Sequence, residues 1–482
     1  MGELANSTRA SFILTGIFAL YMVNYALGSV ALLIYWGWYA RPSGDAVTVF
    51  MFLLLFGVYF LRHYITYDES APRLLQLIPE LAILILIPFA IARLDKSRTI
   101  FICTGAVVLF VSSLLVGNGV LVALNGVRVL FRFMPFYMIF SAEASNGRSD
   151  KFKYFMSCVL ILAVIQIVPT LAQYLSYDDP DFVAGTMPMA GSGILSIFQI
   201  IIITWVLLLA WRGAITRRKA LVFSFVCMLP CFINETKITV FLIPLSIFFV
   251  LIVSKISMGT GRLFRLAVAA IMVFILSAYA YMALWEGFVS GKESLFSVDF
   301  ISSYLSHDIN IVNLGPYTSE LRTEASRIGM ILFGIQELSH DALHFLFGYG
   351  IGATSNSMIS GADGGLYTQF ADYIIEFNLA STLLLEFGFL GLSVLVVFLS
   401  VWYHRFTRLS RNRTLSLLDW STVQMARYLI LLFPILSLYN RWIFHDQLGL
   451  VFWSIMGYAS GVEYFYRKQT VSDVRAGPVQ VF

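Results

Sequence analysis

MAGSGILSIFQIIIITWVLLLAWRGAITRRK, residues 189–219, sets about twenty apolar residues directly before four basic ones. A run of that length crosses a hydrocarbon core of about 30 Å as one helix, and Lys and Arg gather on the cytoplasmic side of such helices. Comparable runs recur at 12–36, 47–61, 74–92, 99–117, 120–140, 154–175, 220–234, 237–254, 266–286, 374–403, 422–440 and 446–463. The chain is 59% apolar and only 12% Asp, Glu, Lys and Arg, with a mean hydropathy of +0.81. A soluble domain cannot enclose so many apolar runs. They are long and do not alternate, which selects helices over a barrel. The expected fold is an all-α polytopic membrane protein of about 12 to 13 transmembrane helices, with one large extracytoplasmic loop that contains an amphipathic helix.

Four regions follow: a membrane bundle at 1–286, a loop at 287–373, a second group of membrane helices at 374–463, and a cytoplasmic tail at 464–482. The basic segments 212–219, 255–262 and 405–413, and the RKQ that opens the tail, mark the cytoplasmic side. The segment SYDDPD, 176–181, has no basic residue and fits the outside. These signs alternate correctly and set the loop outside. Parity then puts the amino terminus outside, whereas Arg9 argues for inside. Pro79, Glu80 and Pro88 make the third run irregular, so twelve spans with both ends inside is the competing count. The opening MGELANSTRASFILTGIF reads as a retained first span rather than a cleaved leader.

The net charge of +4 is that of basic cytoplasmic loops. No basic patch carries interleaved aromatics, so no nucleic-acid partner is expected. Cys103, Cys158, Cys227 and Cys231 all lie in apolar runs and read as small hydrophobes. Among the loops, 286–372 stands apart, with three of the six histidines and the two arginines Arg322 and Arg327. From Arg327 the sequence has helical periodicity, with Ile328, Ile331, Leu332, Ile335, Leu338 and Leu343 as its apolar positions. An arginine fork suits phosphate oxygens; either arginine alone is better read as a solvated side chain. His340 and His344 are four apart and are expected on one helix face. HDALH lacks the glutamate of HExxH and any third ligand, so no metal is expected, and general-base work by one histidine fits a neutral imidazole.

FGYGIGATSNS, 347–357, spaces Gly348, Gly350 and Gly352 by two. The Walker pattern is absent and GxGxxG breaks off at Ala353 and Thr354, which leaves a tight turn as the reading. In EFNLASTLLLEFGFLGL, 376–392, Asn378 and Glu386 fall on roughly one face, and Gly388 and Gly391 permit close helix approach. A glutamate in a spanning run calls for a partner. Lys237 and Glu235 sit at the turn of the short hairpin INETKITVF, 233–241, either paired with each other or facing an anionic substrate. Arg441, His445 and Asp446, in NRWIFHDQ at 440–447, fall on the same side by parity.

The order ASRIGMILFGIQELSHDALHFLFGYGIGA and then EFNLASTLLLEFGFLG resembles the O-antigen polymerase and O-antigen ligase superfamily of bacterial envelope glycan assembly. The matching positions are Arg327, Gly348–Gly352, Asn378, Glu386, Gly388 and Gly391, with Lys237 where a family arginine falls. The family histidine before the asparagine is Phe377 here, which leaves His340, His344, His307 or Glu376 as substitutes. The resemblance implies a metal-independent, cofactor-free glycosyltransferase that polymerises polyprenyl-diphosphate-linked oligosaccharide repeat units into surface polysaccharide or exopolysaccharide. It would work at the outer face of the bacterial inner membrane, with the loop periplasmic or extracellular. His344, His340 and Glu386 are the implied catalytic groups; Lys237, Arg322, Arg327, Asn378 and Arg441 are the implied substrate contacts. Membrane lipid, a flippase and a chain-length regulator are the implied partners. A transporter or flippase of a lipid-linked saccharide or another solute is the alternative; transporters show internal repeats and broken spans near the midplane, whereas this sequence has no convincing repeat and gathers its polar groups outside.

The topology is tested by Ser319→Cys in a chain whose four native cysteines are replaced. Labelling of intact cells by a membrane-impermeant thiol reagent is expected; labelling only after lysis would reverse the assignment of sides.

Overall fold

The computed structural model describes residues 83, 86–88, 90–176, 183–187, 191–234, 236, 238–254, 327–355, 357, 361–370 and 378–476. Expected spans 12–36, 47–61, 266–286 and most of 74–92 lie outside the described residues. Within them the chain is all-α, with no strand. The helices are α1 (Lys96–Leu115), α2 (Val120–Phe131), α3 (Met134–Ser145), α4 (Asp150–Ile165), α5 (Ile167–Ser176), α6 (Ser192–Trp211), α7 (Arg217–Ile233) and α8 (Ile238–Ser254). After the segment of chain at 255–326 come α9 (Arg327–Leu338), α10 (Ala342–Phe347), α11 (Gly365–Phe370), α12 (Leu379–Ser410), α13 (Leu417–Tyr439) and α14 (Asp446–Ala476). Six stretches among the described residues are long and apolar enough to cross a membrane: Arg98–Leu115, Val120–Ser145, Asp150–Ser176, Ser192–Trp211, Leu379–Ser410 and Leu417–Tyr439. The chain is a multi-pass membrane protein with a large extramembranous loop before α12.

α6 is the hub. It is apolar on every side and 17 of its 20 residues are buried, as expected of a helix enclosed by other helices. α7, α8 and α13 pack around it. Polar side chains fasten it: Gln199 donates to the Ala163 carbonyl of α4 at 2.8 Å. A hydroxyl bond between Ser246 and Tyr428 joins α8 to α13. α7 and α8 have 17 residues each, about 26 Å at the usual rise per residue, so the hairpin is shorter than a full core.

α14 is less apolar than the six stretches, with polar residues at its start and a polar segment from Arg467 onward. From Gln447 to Val462 most of its side chains are buried, and its most extensive partner is α3. Gly457 and Gly461, one turn apart, let the two backbones touch: a β-carbon at either would strike the Tyr137 or Ser141 carbonyl.

Side-chain contacts sort the helix ends into two groups. At one end Arg98 lies over the Tyr464 ring at 4.2 Å, Arg212 lies over Trp420 at 4.3 Å, and Tyr458 bonds Asp419 at 2.8 Å. That end gathers the basic segments 212–219 and 405–413 and the Arg467–Lys468 pair. At the other end Asn234 donates to the Ser192 carbonyl at 2.9 Å, Gly193 abuts Tyr439, and Asn378 donates to the Leu438 carbonyl at 3.2 Å. The hairpin turn, the start of α12 and the end of α13 therefore meet at this second end.

Candidate functional site

The second end is built on a break in α12. Gly388 has φ +63° and ψ −171°, a conformation open to glycine and strained for any other residue. The break releases two carbonyls from the helical ladder, and they are taken by the glycine loop. Tyr349 N–H donates to the Leu385 carbonyl at 2.7 Å, and Gly350 N–H donates to the Glu386 carbonyl at 3.1 Å. Gly348 lies so close that a β-carbon would strike the backbone from Glu386 to Gly388. The three expected turn glycines all have positive φ and are buried. They form a re-entrant contact recessed eight residues into α12, roughly 12 Å along its axis, instead of a surface turn. Irregular backbone is tolerated at such depth when protein encloses it.

The loop is pinned from its other side too. Asn118 donates to the Tyr349 carbonyl at 2.6 Å, and Ser113 donates to the Ile351 carbonyl at 2.9 Å. Gly352 rests on Gly126 of α2. Beyond it Thr354 meets Glu386: its hydroxyl donates to Oε1 at 2.7 Å and its N–H donates at 3.2 Å. Arg441 donates to the Thr354 carbonyl at 3.2 Å. Glu386 is 5% exposed. A carboxyl group so enclosed requires hydrogen-bond donors, and it obtains them from Thr354 of the loop. Asn378 caps α12: its Oδ1 accepts from Ser381 N–H at 2.8 Å, beside its bond to Leu438.

His344 and His340 do not share a helix face. α9 ends at Leu338, and Asp341 starts a new helix by accepting from Leu343 N–H at 3.1 Å. His340 is left exposed in the turn. His344 lies in α10, its Nδ1 2.6 Å from Asp341 Oδ2 and its ring stacked on Tyr349 at 4.3 Å. A carboxylate on one ring nitrogen orients the imidazole and leaves the other for proton transfer. The Leu343 N–H, more than His344, holds the Asp341 carboxyl below its ordinary range. Partial burial, helped by the charge of Glu337, pushes the Tyr349 phenol up to about 12, so Tyr349 stays protonated. α9 docks through Met330 and Leu338 onto Leu384 and Leu385, with Ile331 packed beside them, so of the expected apolar positions Leu338 and Ile331 face inward and Leu332 and Ile335 do not. Leu332, Ile335, Leu343 and Phe347 stay exposed, as side chains of an interfacial helix do.

Of the other expected contacts, Arg327 opens α9, with its side chain outside the described residues. Lys237, Arg322, Glu235, His307, Glu376 and Phe377 lie outside them altogether. The structure thus brings Glu386, Asn378 and Arg441 to one end and sets His344 in the adjoining segment that packs on α12. Thr354, Ser113 and Asn118 were not singled out from the sequence. Asn118 stands in the turn between two apolar runs and Ser113 near the end of the first, and that is their visible signal. Arg128 and Arg132 also escaped notice, although an ionisable residue inside a span is itself a functional signal. Arg128 bonds Asn125 at 3.0 Å, beside the Gly126 that bears the loop. Among the described residues, no group of three or more His, Cys, Asp or Glu side chains converges. The chain matches no known family model and none of the curated proteins.

Gly388→Ala is expected to strain α12 and undock the glycine loop. Hydrogen exchange at the Tyr349 and Gly350 amides should accelerate while the amides of α6 keep their protection. Unchanged exchange at both loop amides would contradict the break as the loop's anchor.

Proposed function

We propose that the chain joins polyprenyl-diphosphate-linked oligosaccharide repeat units at the extracytoplasmic face of a bacterial inner membrane, as an O-antigen polymerase does. The observation that carries this reading is the recessed Glu386–Thr354–Arg441 contact at the end of the bundle opposite the basic residues. By the rule that basic loops face the cytoplasm, that end is extracytoplasmic, where lipid-linked saccharides meet their acceptors. Charge inside a membrane protein is costly and gathers where polar substrates are handled.

In the proposed reaction, the acceptor sugar hydroxyl attacks the anomeric carbon. The bond from that carbon to the diphosphate oxygen breaks, and polyprenyl diphosphate leaves with the electron pair. The acceptor proton passes to a base, for which His344, oriented by Asp341, is the better placed of the two histidines. The leaving group is already anionic and needs cations rather than an acid. Arg441 would supply one, with Lys237, Arg322 and Arg327 as the further expected cations. Glu386 and Asn378 would hold the walls of the site. No nucleotide sugar or metal takes part. A flippase would deliver the substrate, and a chain-length regulator would set when transfer stops.

The test uses cells lacking the protein, complemented with variants at matched membrane abundance. Arg441→Ala is expected to remove long surface glycan chains while single repeat units persist. His344→Ala should lower turnover roughly 10²-fold with little change in substrate binding. Wild-type chain lengths in both variants would overturn the assignment. Accumulation of lipid-linked units on the cytoplasmic side would point to a flippase instead.

A further inference from the structure

A second feature lies at the opposite end of the bundle. α1, α3, α12 and α14, with the end of α2, enclose a groove of about 720 Å³. Its walls are apolar, among them Phe101, Phe131, Val397 and Trp402, and Arg98, Arg405 and Arg467 stand at its basic end. A neighbouring cavity of about 510 Å³ shares Arg405 and Arg467 and adds Arg408. Across both, four arginines face one carboxylate, Glu463.

The cations differ in their engagement. Arg98 donates to Ser141 at 2.7 Å and covers the Tyr464 ring, so its guanidinium is held in place. Arg405, Arg408 and Arg467 are exposed, and among the described residues none of them forms an ion pair. Along α12 the groove runs from Val394 to Arg405. Eleven residues of helix measure roughly 16 Å, close to the about 15 Å of hydrocarbon in one leaflet. An apolar slot one leaflet deep with cations at its mouth has the shape and charge of a lipid with an anionic head.

We propose that this groove is a binding site for an anionic phospholipid of the leaflet at the basic end. The phosphate sits among Arg98, Arg405 and Arg467, and an acyl chain lies along Phe101, Val397 and Trp402. Tyr137, Trp402 and Trp453 line the same cavity and suit the boundary between chains and head group. The saccharide substrate of the proposed reaction does not fit here. Its diphosphate belongs at the end marked by Glu386, in the other leaflet. The occupied groove bridges α1 to the α12–α14 pair, so the lipid would act as a tie between them.

The test is native mass spectrometry of the purified full chain in detergent, given equal amounts of phosphatidylglycerol and phosphatidylcholine with matched acyl chains. The wild-type chain should retain phosphatidylglycerol in preference. The triple variant Arg98→Gln, Arg405→Gln, Arg467→Gln should retain roughly tenfold less or lower still. Val397→Trp keeps every charge and fills the groove; it should also lose the lipid, and it carries the test if the triple variant unfolds. Arg411→Gln with Arg413→Gln lowers the charge at the same end outside the groove and should change nothing. Equal retention of the two lipids by the wild-type chain would overturn the site, as would an equal loss in the Arg411 and Arg413 control. Preference for a polyprenyl phosphate over phosphatidylglycerol would overturn it as well.

Discussion

Glu386 is two turns inside a spanning helix, and a carboxylate there must be solvated by protein because neither lipid nor water does it. Much around the site follows from meeting that demand. The break at Gly388 opens the helix where the loop must enter. Gly348 permits the backbones to touch, and Thr354 is then delivered to the carboxylate with two donors. Arg441 closes the arrangement from the turn after α13. The loop is thus tied to the acidic group and the turn after α13 is tied to the loop, which gives the recessed end a defined shape.

Among the described residues the spans were readable because the membrane imposes a simple rule on length and apolarity, and α1 to α8 and α12 to α14 fall where apolar runs stand. α14 bends the rule: enclosed against α3, it carries Gln447, Ser454 and Ser460 that a lipid-facing helix would avoid. The glycine loop was half-readable. Three glycines announce positive φ, yet no local signal says that their backbones will meet α12 and α2 rather than solvent. Periodicity also misled at His340 and His344. A continuous helical pattern was visible, but Asp341 turns its side chain back to cap α10, and that local bond wins over the pattern.

The molecule is polarised along its long axis. Among the described residues, the glycine loop and its partners mark one end, and the exposed Arg405, Arg408 and Arg467 mark the other. The two ends call for different chemistry. At the recessed end the described charged groups, Glu386 and Arg441, are both held through Thr354, as suits the recognition of a charged leaving group. At the basic end they are many and solvated beside an apolar groove, as suits a lipid surface. The proposed transfer and the proposed lipid site therefore stand on separate observations.

The most direct measurement is a reconstitution of the purified chain in liposomes with one lipid-linked oligosaccharide, no nucleotide sugar, and a metal chelator present. The account predicts a ladder of longer lipid-linked products, with one polyprenyl diphosphate released for each bond made. Unreacted oligosaccharide, whether left in place or moved across the bilayer, would contradict it.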